Sequence, residues 1–383
     1  MARLGDIATY VNGYAFKPTD WSDEGIQIIR IQDLTGNSYQ ANRYNGEYAP
    51  KYEVNNGDVL ISWSASLGVY VWAGEKAVLN QHIFKVKFDK VDVDKSFFVH
   101  QVECILNNAS GDAHGATMKH LTKPVFDALP FYLPNIEEQR QIATELDKVI
   151  NLISLRKQQL SKLDELVKSR FIEMFGDPVT NPFGWRKLTV QHAIVEKIID
   201  KPLDGNHGGK HPKTSDYVPS GIPFIMANNL VAGKVDLENC AFISRKQADS
   251  LDKGFAKDGD VLITHKGTIG RTAILHCSYP YIMLTPQVTY YRPKIGIIPE
   301  YLKAYFDTDY FQGIIGNIAS VGSTRAYIGI TAQQELPLIV PPMEVQEQYA
   351  TFVEQIDKSK FEIQKSLEKL ETLKKALMQK YFG

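Results

Sequence analysis

Residues 134–144 read PNIEEQRQIAT and residues 341–351 read PPMEVQEQYAT, and each stretch opens a segment that ends in Phe-Gly. The two segments correspond without a gap at an offset of 207 residues, which carries Gly176 onto Gly383. A repeat of this length indicates two copies of one architectural unit, so we expect both the fold and the function to be two-fold. Two similar but non-identical copies favour a protein that holds two similar ligand segments at once.

The composition alternates along the chain between strand-rich and helical segments. Residues 59–63 (VLISW) and 68–72 (GVYVW) are typical of strands, and the turn signal NNGD at 55–58 precedes them. Two other segments have almost no Gly or Pro and many Leu, Lys, Glu and Gln, which predicts long helices. The predicted fold class is therefore α+β, with two mixed α/β, strand-rich domains joined by two long helices. In chain order, the predicted segments are 1–133, 134–176, 177–337 and 338–383.

The strand-rich domains repeat each other more loosely than the helices do. GDVLIS at 57–62 matches GDVLIT at 259–264, and Gly115-Ala-Thr117 matches Gly322-Ser-Thr324. Because this frame is kept while the residues between its positions differ, we interpret the domains as one scaffold with two recognition sites of different specificity. Simple drift after duplication is the alternative interpretation.

Both long helices carry apolar rows at heptad spacing. The residues predicted to pair the helices are Leu146, Ile153, Leu160, Val167 and Met174 in the first helix and Ile356, Ile363, Leu370 and Leu377 in the second. One row is of the a type and the other of the d type, which predicts an antiparallel coiled coil. Cations of the two helices then approach each other, so acidic neighbours such as Asp164 or Glu368 are expected to screen them. Two helices that pack separately on their own domains are the alternative.

The bulk composition is that of an ordinary globular protein. The chain has 383 residues, 44% of them hydrophobic, and a formal net charge of −1. Such a charge indicates no global field toward nucleic acid or membrane, although basic loops can be offset by acidic helices. Cys104, Cys240 and Cys277 are scattered, which favours a reducing cytoplasm. Apolar runs are short and broken by Pro and charge, so neither a signal peptide nor a membrane span is predicted.

The motifs of common enzyme classes are missing from the sequence. No Gly-rich loop ends in Lys-Ser/Thr, which argues against ATP-driven work in this chain. NPFG at 181–184 resembles the Asn/Asp-Pro-Pro-Tyr/Phe signature of amino-methyltransferases but lacks the second Pro. His207 and His211 have no Cys or carboxylate partner that the sequence identifies, so we interpret them as part of a polar loop. No catalytic, cofactor-binding or metal-binding residue is therefore predicted.

Polar loops remain as the candidate chemistry, and their residue types suit base edges and phosphates. Asn, Gln and Arg read bases, while hydroxyls and cations contact phosphates. In the first domain, the predicted DNA contacts are Lys17, Arg30, Gln32, Trp63, Ser64, Ser66, Tyr70, Gln81, His82, Thr117 and Lys119. In the second domain, they are His207, Lys213, Asn228, Asn229, His265, Lys266, Thr268, Arg271, Gln287, Ser323, Thr324, Arg325 and Tyr327. A solvated surface loop is the alternative for each of them.

Taken together, these features resemble the specificity subunits of type I restriction–modification systems. The resemblance covers essentially the full chain and rests on an ordered set of motifs that occurs in duplicate. The set comprises LGDIA at 4–8, GYAFK at 13–17, GDVLI at 57–61, Gly115-Ala-Thr117, Leu129-Pro130, Pro134 with Glu137-Glu138-Gln139, FGDP at 175–178 and NPFGWRKL at 181–188.

The resemblance implies two target recognition domains, each of which reads one half of a split DNA site. It also implies that the paired helices set the spacer and dock two methyltransferase (M) subunits, which bind S-adenosylmethionine and methylate adenine. A restriction (R) subunit, whose presence the sequence leaves open, would use ATP and Mg to translocate and cleave DNA. The expected partners are thus double-stranded DNA and these subunits, with no membrane, while this chain is non-catalytic and holds no cofactor.

Two other classes of function stay open at this stage. The first is a single-chain methyltransferase or nuclease with an unrecognised site, and the missing cofactor loop argues against it. The second is a two-headed adaptor protein that grips a non-DNA ligand, for which the helices would serve equally well.

Overall fold

The computed structural model describes residues 1–38, 40–111, 121–320 and 327–383. The chain divides into two compact units, of which unit 1 comprises Met1–Gln158 with Gln364–Gly383 and unit 2 comprises Gln159–Ile363. Each of the two long helices therefore contributes residues to both units. Among the described residues, no helix is both long and apolar enough to cross a membrane.

Unit 1 is built from short strands and helices that precede the first long helix. Its strands are β1 Ala2–Arg3, β2 Thr9–Asn12, β3 Ile26–Ile29, β4 Arg43–Tyr44, β5 Glu53–Val54, β6 Val59–Ser62, β7 Gly68–Val71, β8 Ala77–Leu79, β9 Ile83–Lys87 and β10 Pro130–Phe131. Its helices are α1 Leu4–Ile7, α2 Ile31–Leu34, α3 Lys95–Gly111, α4 Lys123–Asp127 and the start of α5 Ile136–Phe175, with 3-10 helices at Pro18–Asp20 and Pro50–Tyr52.

The strands of unit 1 form two four-stranded sheets and one short ribbon. The first sheet has the order β2-β9-β6-β7 and is antiparallel. The second has the order β4-β3-β8-β5, in which β3 and β8 run parallel. β1 pairs with β10. The main core of the unit lies between the first sheet and helices α3, α4 and α5.

Unit 2 repeats most of these elements in the same order and contains additional ones. Its strands are β11 Arg186–Thr189, β12 Leu203–Asp204, β13 Tyr217–Ile225, β14 Leu230–Val231, β15 Lys234–Val235, β16 Ala241–Ile243, β17 Phe255–Ala256, β18 Val261–Lys266, β19 Thr268–Ile274, β20 Ile282–Leu284, β21 Val288–Tyr291 and β22 Pro337–Val340. Its helices are α6 Val190–Val195, α7 Arg245–Asp249, α8 Pro299–Phe306, α9 Asp309–Ser320, α10 Ile330–Gln334 and the start of α11 Met343–Phe382, with 3-10 helices at Gly208–Lys210, Thr214–Asp216 and Ala227–Asn229.

The sheets of unit 2 repeat those of unit 1. The order β12-β21-β18-β19 corresponds to β2-β9-β6-β7, and β16-β13-β20-β17 corresponds to β4-β3-β8-β5, including the central parallel pair. β11 pairs with β22 as β1 pairs with β10. The hairpin β14-β15 extends the first sheet of unit 2 and has no counterpart among the described strands of unit 1. The internal repeat and the mixed α/β character that the sequence predicts are thus confirmed by the topology.

One glycine in each unit allows a close approach between the two sheets. A Cβ atom on Gly13 would lie 1.9 Å from Asn80 O, and one on Gly205 would lie 1.8 Å from Leu284 O. Both distances are far below van der Waals contact, so a side chain at either position would push the neighbouring strand away. The duplicated contact explains why glycine stands at both places.

A buried glutamine fixes the start of each long helix to its own unit. In unit 1, Gln139 Oε1 accepts from Asp94 N at 2.9 Å, and its Nε2 donates to Pro134 O at 2.9 Å. Gln346 is the repeat equivalent in unit 2, and its partners are Ile298 N at 3.1 Å, Gly296 O at 3.0 Å and Pro341 O at 2.8 Å. Both amides are buried, so they satisfy backbone groups that would otherwise lack a partner.

The predicted pairing residues of the long helices lie at buried or half-buried positions. In unit 1, Leu146 and Leu377 belong to one core cluster, against which Ile153 and Leu370 pack. In unit 2, Val167 and Met174 pack against a cluster that includes Tyr349 near the start of α11. The remaining predicted residues are half-buried and are Leu160, Ile356 and Ile363.

Acidic residues form ion pairs with lysines of these helices. One of these pairs involves an acidic residue that the sequence does not suggest. Lys360 pairs with Asp164 at 2.6 Å, as expected. Lys374 pairs instead with Glu103 of α3 at 3.2 Å, which no heptad pattern could indicate. Glu368, the second expected partner, accepts a 3.4 Å hydrogen bond from Gln364 on its own helix.

Candidate nucleic-acid interface

The segments predicted to contact DNA in unit 2 follow strands that end at one edge. β13 and β20 run parallel, so the residues after Ile225 and after Leu284 emerge together. Thr285 N donates to Ile225 O at 2.9 Å and ties the two segments to each other. This edge carries two exposed amide side chains, Asn228 and Gln287.

The β18-β19 hairpin joins this edge from the neighbouring sheet. His265 N donates to Gln287 O at 2.9 Å, and Ile328 N donates to His265 O at 2.9 Å. Lys266 and Tyr327 form an isolated antiparallel bridge. Segments that are far apart in sequence therefore meet in one place. We name residues 226–229, 265–271, 285–287 and 327–328 recognition edge 2.

Equivalent contacts build recognition edge 1, which comprises residues 30–33, 63–70, 80–82 and 121. Asn80 N donates to Ile29 O at 3.1 Å, Trp63 N to His82 O at 3.2 Å, and Leu121 N to Trp63 O at 2.9 Å. These three bonds correspond one by one to those of recognition edge 2. The chain therefore presents the same backbone frame twice, with different side chains on it.

A capped turn holds the amide readers at equivalent positions in the two units. Asp33 closes the turn after β3, and Asn229 closes the turn after β13, each by accepting the backbone N–H three residues before it, at 2.7 and 2.9 Å. Gln32 and Asn228 directly precede these caps. The caps leave both side chains at least partly exposed, which suits polar recognition.

Three of the predicted contact residues are buried, and their side chains interact within the protein. Asn229 is 3% exposed, caps its turn and also donates to Asn239 O at 3.3 Å. His265, on β18, is 1% exposed because its strand places it beneath the edge, and Ser64, which follows β6, is 5% exposed. In this structure the side chains of these three residues are buried within the protein, and their contact with DNA stays a prediction. Alternation along a strand and the capping role were the signals that sequence reasoning missed.

A polar network lies beneath recognition edge 2. Gln333 Nε2 donates to His265 Nδ1 at 2.8 Å and to Ile328 O at 3.1 Å, and Tyr291 Oη donates to Gln333 Oε1 at 2.9 Å. Thr289 Oγ1 lies 3.2 Å from His265 Nδ1. These side chains are buried, and burial lowers the pKa of His265, which therefore favours the neutral form.

Aromatic side chains occupy the same positions beneath recognition edge 1. Trp63 stands where unit 2 has His265, and its ring centroid lies 5.7 Å from that of Phe84, which in turn lies 5.5 Å from Phe126. Phe84 and Phe126 take the places of Thr289 and Gln333. One backbone frame is therefore supported by an apolar layer in unit 1 and by a hydrogen-bonded layer in unit 2.

Cations without carboxylate partners lie on or near both edges. Within the described part of the chain, Lys17, Lys213, Lys266 and Arg271 form no ion pair of 4.0 Å or less. Lys17 and Lys213 begin turns that an aspartate three residues later closes, at 2.7 Å in both units. Lys266 lies 5.9 Å over the ring of Tyr327. The lack of neutralising partners leaves these charges available to phosphates.

Arg271 lines an open groove of about 440 Å³ with residues 230–233, Thr272, Lys303 and Asp307. Lys303 pairs with Asp307 at 2.8 Å, and Thr272 donates to the same carboxylate, so these groups satisfy each other. The guanidinium of Arg271 remains as the uncompensated charge of the groove. The hairpin β14-β15, which supplies one wall, makes this feature specific to unit 2 among the described residues.

The remaining predicted residues of unit 1 lie at or near recognition edge 1. Arg30 is half-buried, and its guanidinium lies 5.0 Å from the ring of Trp21. Trp63 Nε1 donates to Asn12 Oδ1 at 3.2 Å. Those at least partly exposed are Ser66, Tyr70, Gln81 and His82 in unit 1 and Thr268 and Tyr327 in unit 2.

The backbone hydrogen bonds fix the correspondence between these segments of the two units. His82 and Gln287 accept the equivalent bonds, so Gln287 corresponds to His82. Five predicted contacts lie outside the described residues: Thr117, Lys119, Ser323, Thr324 and Arg325. Nothing in the structure bears on them.

His207 has a carboxylate partner that the sequence did not identify. Its Nε2 lies 2.6 Å from Asp204, which is also bonded to Lys253 and whose side chain is 2% exposed. Burial alone would raise the pKa of Asp204, but the bonds to Lys253 and His207 hold that pKa below its usual value. No group of three or more His, Cys, Asp or Glu side chains suited to a metal occurs among the described residues. The cluster therefore anchors the loop that follows β12.

One Ser/His/Asp group occurs in unit 1, and its geometry does not suit nucleophilic catalysis. Ser96 Oγ lies 2.8 Å from both oxygens of Asp147, and His100 Nε2 lies 2.7 Å from Asp147 Oδ1. In an activated triad the imidazole stands between the hydroxyl and the carboxylate. Here one ring nitrogen, His100 Nε2, faces both the carboxylate and Ser96 Oγ, which lies 3.3 Å from it, so the ring does not connect the two groups through its opposite nitrogens. The arrangement is therefore a hydrogen-bonded link from α3 to α5.

Comparison with known proteins gives consistent matches over the full length. A family model described as the type I restriction modification DNA specificity domain matches residues 1–165 and 203–375. The specificity subunit of the type I restriction enzyme EcoBI from Escherichia coli is 22% identical over 410 residues, which cover 99% of this chain and 84% of that protein. The MjaVIII specificity subunit of Methanocaldococcus jannaschii is 21% identical over 389 residues, covering 99% and 90%.

A solved structure supports the same fold. The S subunit of a type I restriction–modification system from M. genitalium aligns with a TM-score of 0.59 at 13% identity, and the alignment covers 100% of this chain and 95% of that one. At this identity the likeness is evidence for the fold alone.

Proposed function

The chain belongs to the family of type I restriction modification DNA specificity domains, and from this premise we propose that it is the non-catalytic specificity subunit of a type I restriction–modification complex. Each unit reads one half of a bipartite site in double-stranded DNA through its recognition edge. The observation that carries the proposal is the repeated frame, in which three equivalent hydrogen bonds hold equivalent segments with different side chains. Such a frame suits two readers of different specificity.

Base reading falls to the exposed or half-exposed side chains that can form paired hydrogen bonds. These are Arg30, Gln32 and Gln81 on recognition edge 1 and Asn228 and Gln287 on recognition edge 2. Phosphate contact falls to Lys17, Lys213, Lys266 and Arg271, which form no ion pair with another described residue. Amides and guanidinium groups discriminate bases in the major groove, whereas single cations fix the register on the backbone.

The two long helices form an antiparallel coiled coil that sets the spacer between the half-sites. Each helix has 40 residues and is therefore about 60 Å long at about 1.5 Å per residue. One turn of B-DNA is about 34–36 Å, which is the usual separation of half-sites. The core contacts of Leu146 with the Leu377 cluster in unit 1, and of Met174 with the Tyr349 cluster in unit 2, support this pairing.

The same helices dock two M subunits through apolar side chains that face solvent. Leu166 and Leu373 are repeat equivalents, and each is 45% exposed. Matching exposed leucines on two repeated helices suit two copies of one partner. The M subunits bind S-adenosylmethionine and methylate adenine, and an R subunit, where the system has one, uses ATP and Mg.

The first test is adenine-methylation mapping of genomic DNA from cells that express this chain with an M subunit of the same system. We expect a new split motif of two short blocks that flank an unspecified spacer, and no such motif in cells without the chain. If both proteins fold and associate but no motif appears, the two-headed adaptor for a non-DNA ligand becomes the better reading.

A further inference from the structure

His265 occupies the centre of recognition edge 2 without reaching its surface. Its backbone N–H donates to Gln287 O, and its backbone carbonyl accepts from Ile328 N, both at 2.9 Å. Its ring adds a third tie, because Nε2 lies 3.0 Å from Pro286 O. One buried residue is therefore bonded to both segments that flank the hairpin of edge 2.

The hydrogen-bond network determines which ring nitrogen carries the proton. Nε2 lies 3.0 Å from Pro286 O, which can only accept, so Nε2 carries the proton of the neutral ring. Nδ1 is then an acceptor and lies 2.8 Å from Gln333 Nε2, which is also within hydrogen-bond distance of Ile328 O and Thr289 Oγ1. In this neutral tautomer, Nε2 bonds to the recognition segment 285–287, while Nδ1 faces Gln333 beneath residues 327–328.

We propose that His265 is a positioning residue that determines the specificity of unit 2 without touching DNA. Through Pro286 it holds Gln287, through Ile328 it holds Tyr327, and through its own strand it holds Lys266. Of these neighbours, Gln287 and Tyr327 are exposed on recognition edge 2 and Lys266 is half-exposed. The inference rests on the proposed function, since it assigns a role within DNA reading.

The corresponding residue of unit 1 works differently. Trp63 stacks on Phe84 and donates from Nε1 to Asn12 Oδ1, so it supports edge 1 by packing and one side-chain bond. The ring of His265 instead donates from Nε2 to a backbone carbonyl of a reading segment, Pro286 O. Loss of the imidazole should therefore disturb unit 2 alone.

The charged surroundings of His265 are asymmetric. Asp204 Oδ2 lies 3.9 Å from Nε2, and this carboxylate is shared with His207 and Lys253. The groups that face Nδ1 are neutral and are Gln333, Thr289 and the Ile328 carbonyl. Protonation at Nδ1 would turn an acceptor into a donor opposite the Gln333 amide.

The test compares His265→Phe with His276→Phe, a matched change at a histidine whose side chain is 71% exposed. The half of the methylated motif read by unit 2 is assigned first, by exchanging residues 177–337 for the same domain of another specificity subunit. With the full chain and its M subunit, His265→Phe should lower discrimination in that half about 5- to 100-fold, the range for a lost base contact. The other half of the motif should not change, and His276→Phe should change neither half.

A second variant keeps the test decisive if His265→Phe does not fold. It copies the layer of unit 1 into unit 2 as His265→Trp, Thr289→Phe, Tyr291→Val and Gln333→Phe. This variant keeps a packed interior but lacks the imidazole ties, so the unit 2 half should relax while thermal unfolding stays cooperative.

Each outcome decides a different question. If the wild-type chain yields no new methylation motif, the proposed function is contradicted, and the inference that rests on it is contradicted as well. A wild-type motif together with an unchanged motif in a folded variant overturns the inference alone. An equal loss in both halves also overturns it, because a merely structural role would weaken the whole subunit.

Discussion

Replacing Gln346 with leucine should destabilise the protein far more than its place on a solvent-facing helix suggests. The amide is 0% exposed and bonds Ile298 N, Gly296 O and Pro341 O at 2.8–3.1 Å. Leucine has a similar volume but leaves one buried N–H and two carbonyls without these partners. Each orphaned group costs about 1–3 kcal/mol. The apolar side chain recovers part of this, so we expect a loss of about 3–5 kcal/mol.

The assay is urea unfolding of the full chain by circular dichroism, with the free energy compared at an unchanged m-value. Hydrogen exchange of peptides covering 296–302 and 341–350 shows whether the loss begins where the clamp is broken. Gln348→Leu is the matched control, because Gln348 is exposed on the same helix and should change stability by no more than about 0.5 kcal/mol. If Gln346→Leu is as mild as Gln348→Leu, the reasoning about buried backbone partners is wrong.

Three further predictions address contact, charge and docking. Arg271→Gln should weaken binding to all DNA sequences alike and reduce the slope of log binding constant against log salt concentration by about one. Gln287→Ala should instead cost about 1–3 kcal/mol of binding free energy at one base pair. Binding titrations at several salt concentrations, with matched and mismatched duplexes, distinguish the two effects. Asp204→Asn should destabilise the protein by about 2–4 kcal/mol, since it breaks a buried ion pair. Because the folded-state pKa of Asp204 lies below its ordinary value, the wild type holds this stability above pH 3.8 and loses it on further acidification. Unfolding measured as a function of pH tests this prediction. Leu166→Glu and Leu373→Glu should each remove one M subunit, measured as a complex mass by analytical ultracentrifugation, while the fold is kept; retention of both subunits would contradict the docking proposal.

The repeat made the architecture of this protein readable from its sequence. A gapless correspondence over more than 40 residues can arise only from duplicated structure, and glycine-rich frames mark the same turns in both domains. Gln139 and Gln346 occupy equivalent positions of this repeat. The clamp formed by each glutamine could not be inferred, because it includes a backbone N–H more than 40 residues away, Asp94 N in unit 1 and Ile298 N in unit 2.

The exposure of the candidate contact residues could not be predicted from their residue types, for a physical reason. Residue type indicates what a side chain can bond, but exposure depends on strand alternation and on turn closure. Asn229 has the chemistry of a base reader, yet its turn needs a cap, and the cap occupies the amide. His265 lies one residue before the half-exposed Lys266 on β18 and so faces inward.

The two interiors beneath the recognition edges constrain how specificity can change. In unit 2, Gln333, His265 and Tyr291 satisfy one another, so replacing any one by its apolar counterpart leaves buried polar groups without partners. In unit 1, the reverse change would place a polar group among aromatic rings. Intermediate combinations are therefore unstable, although both complete sets support the same backbone frame. It follows that a recognition edge can be exchanged as a whole domain at little cost in stability, whereas a loop moved without its supporting layer would lose the geometry that makes it specific.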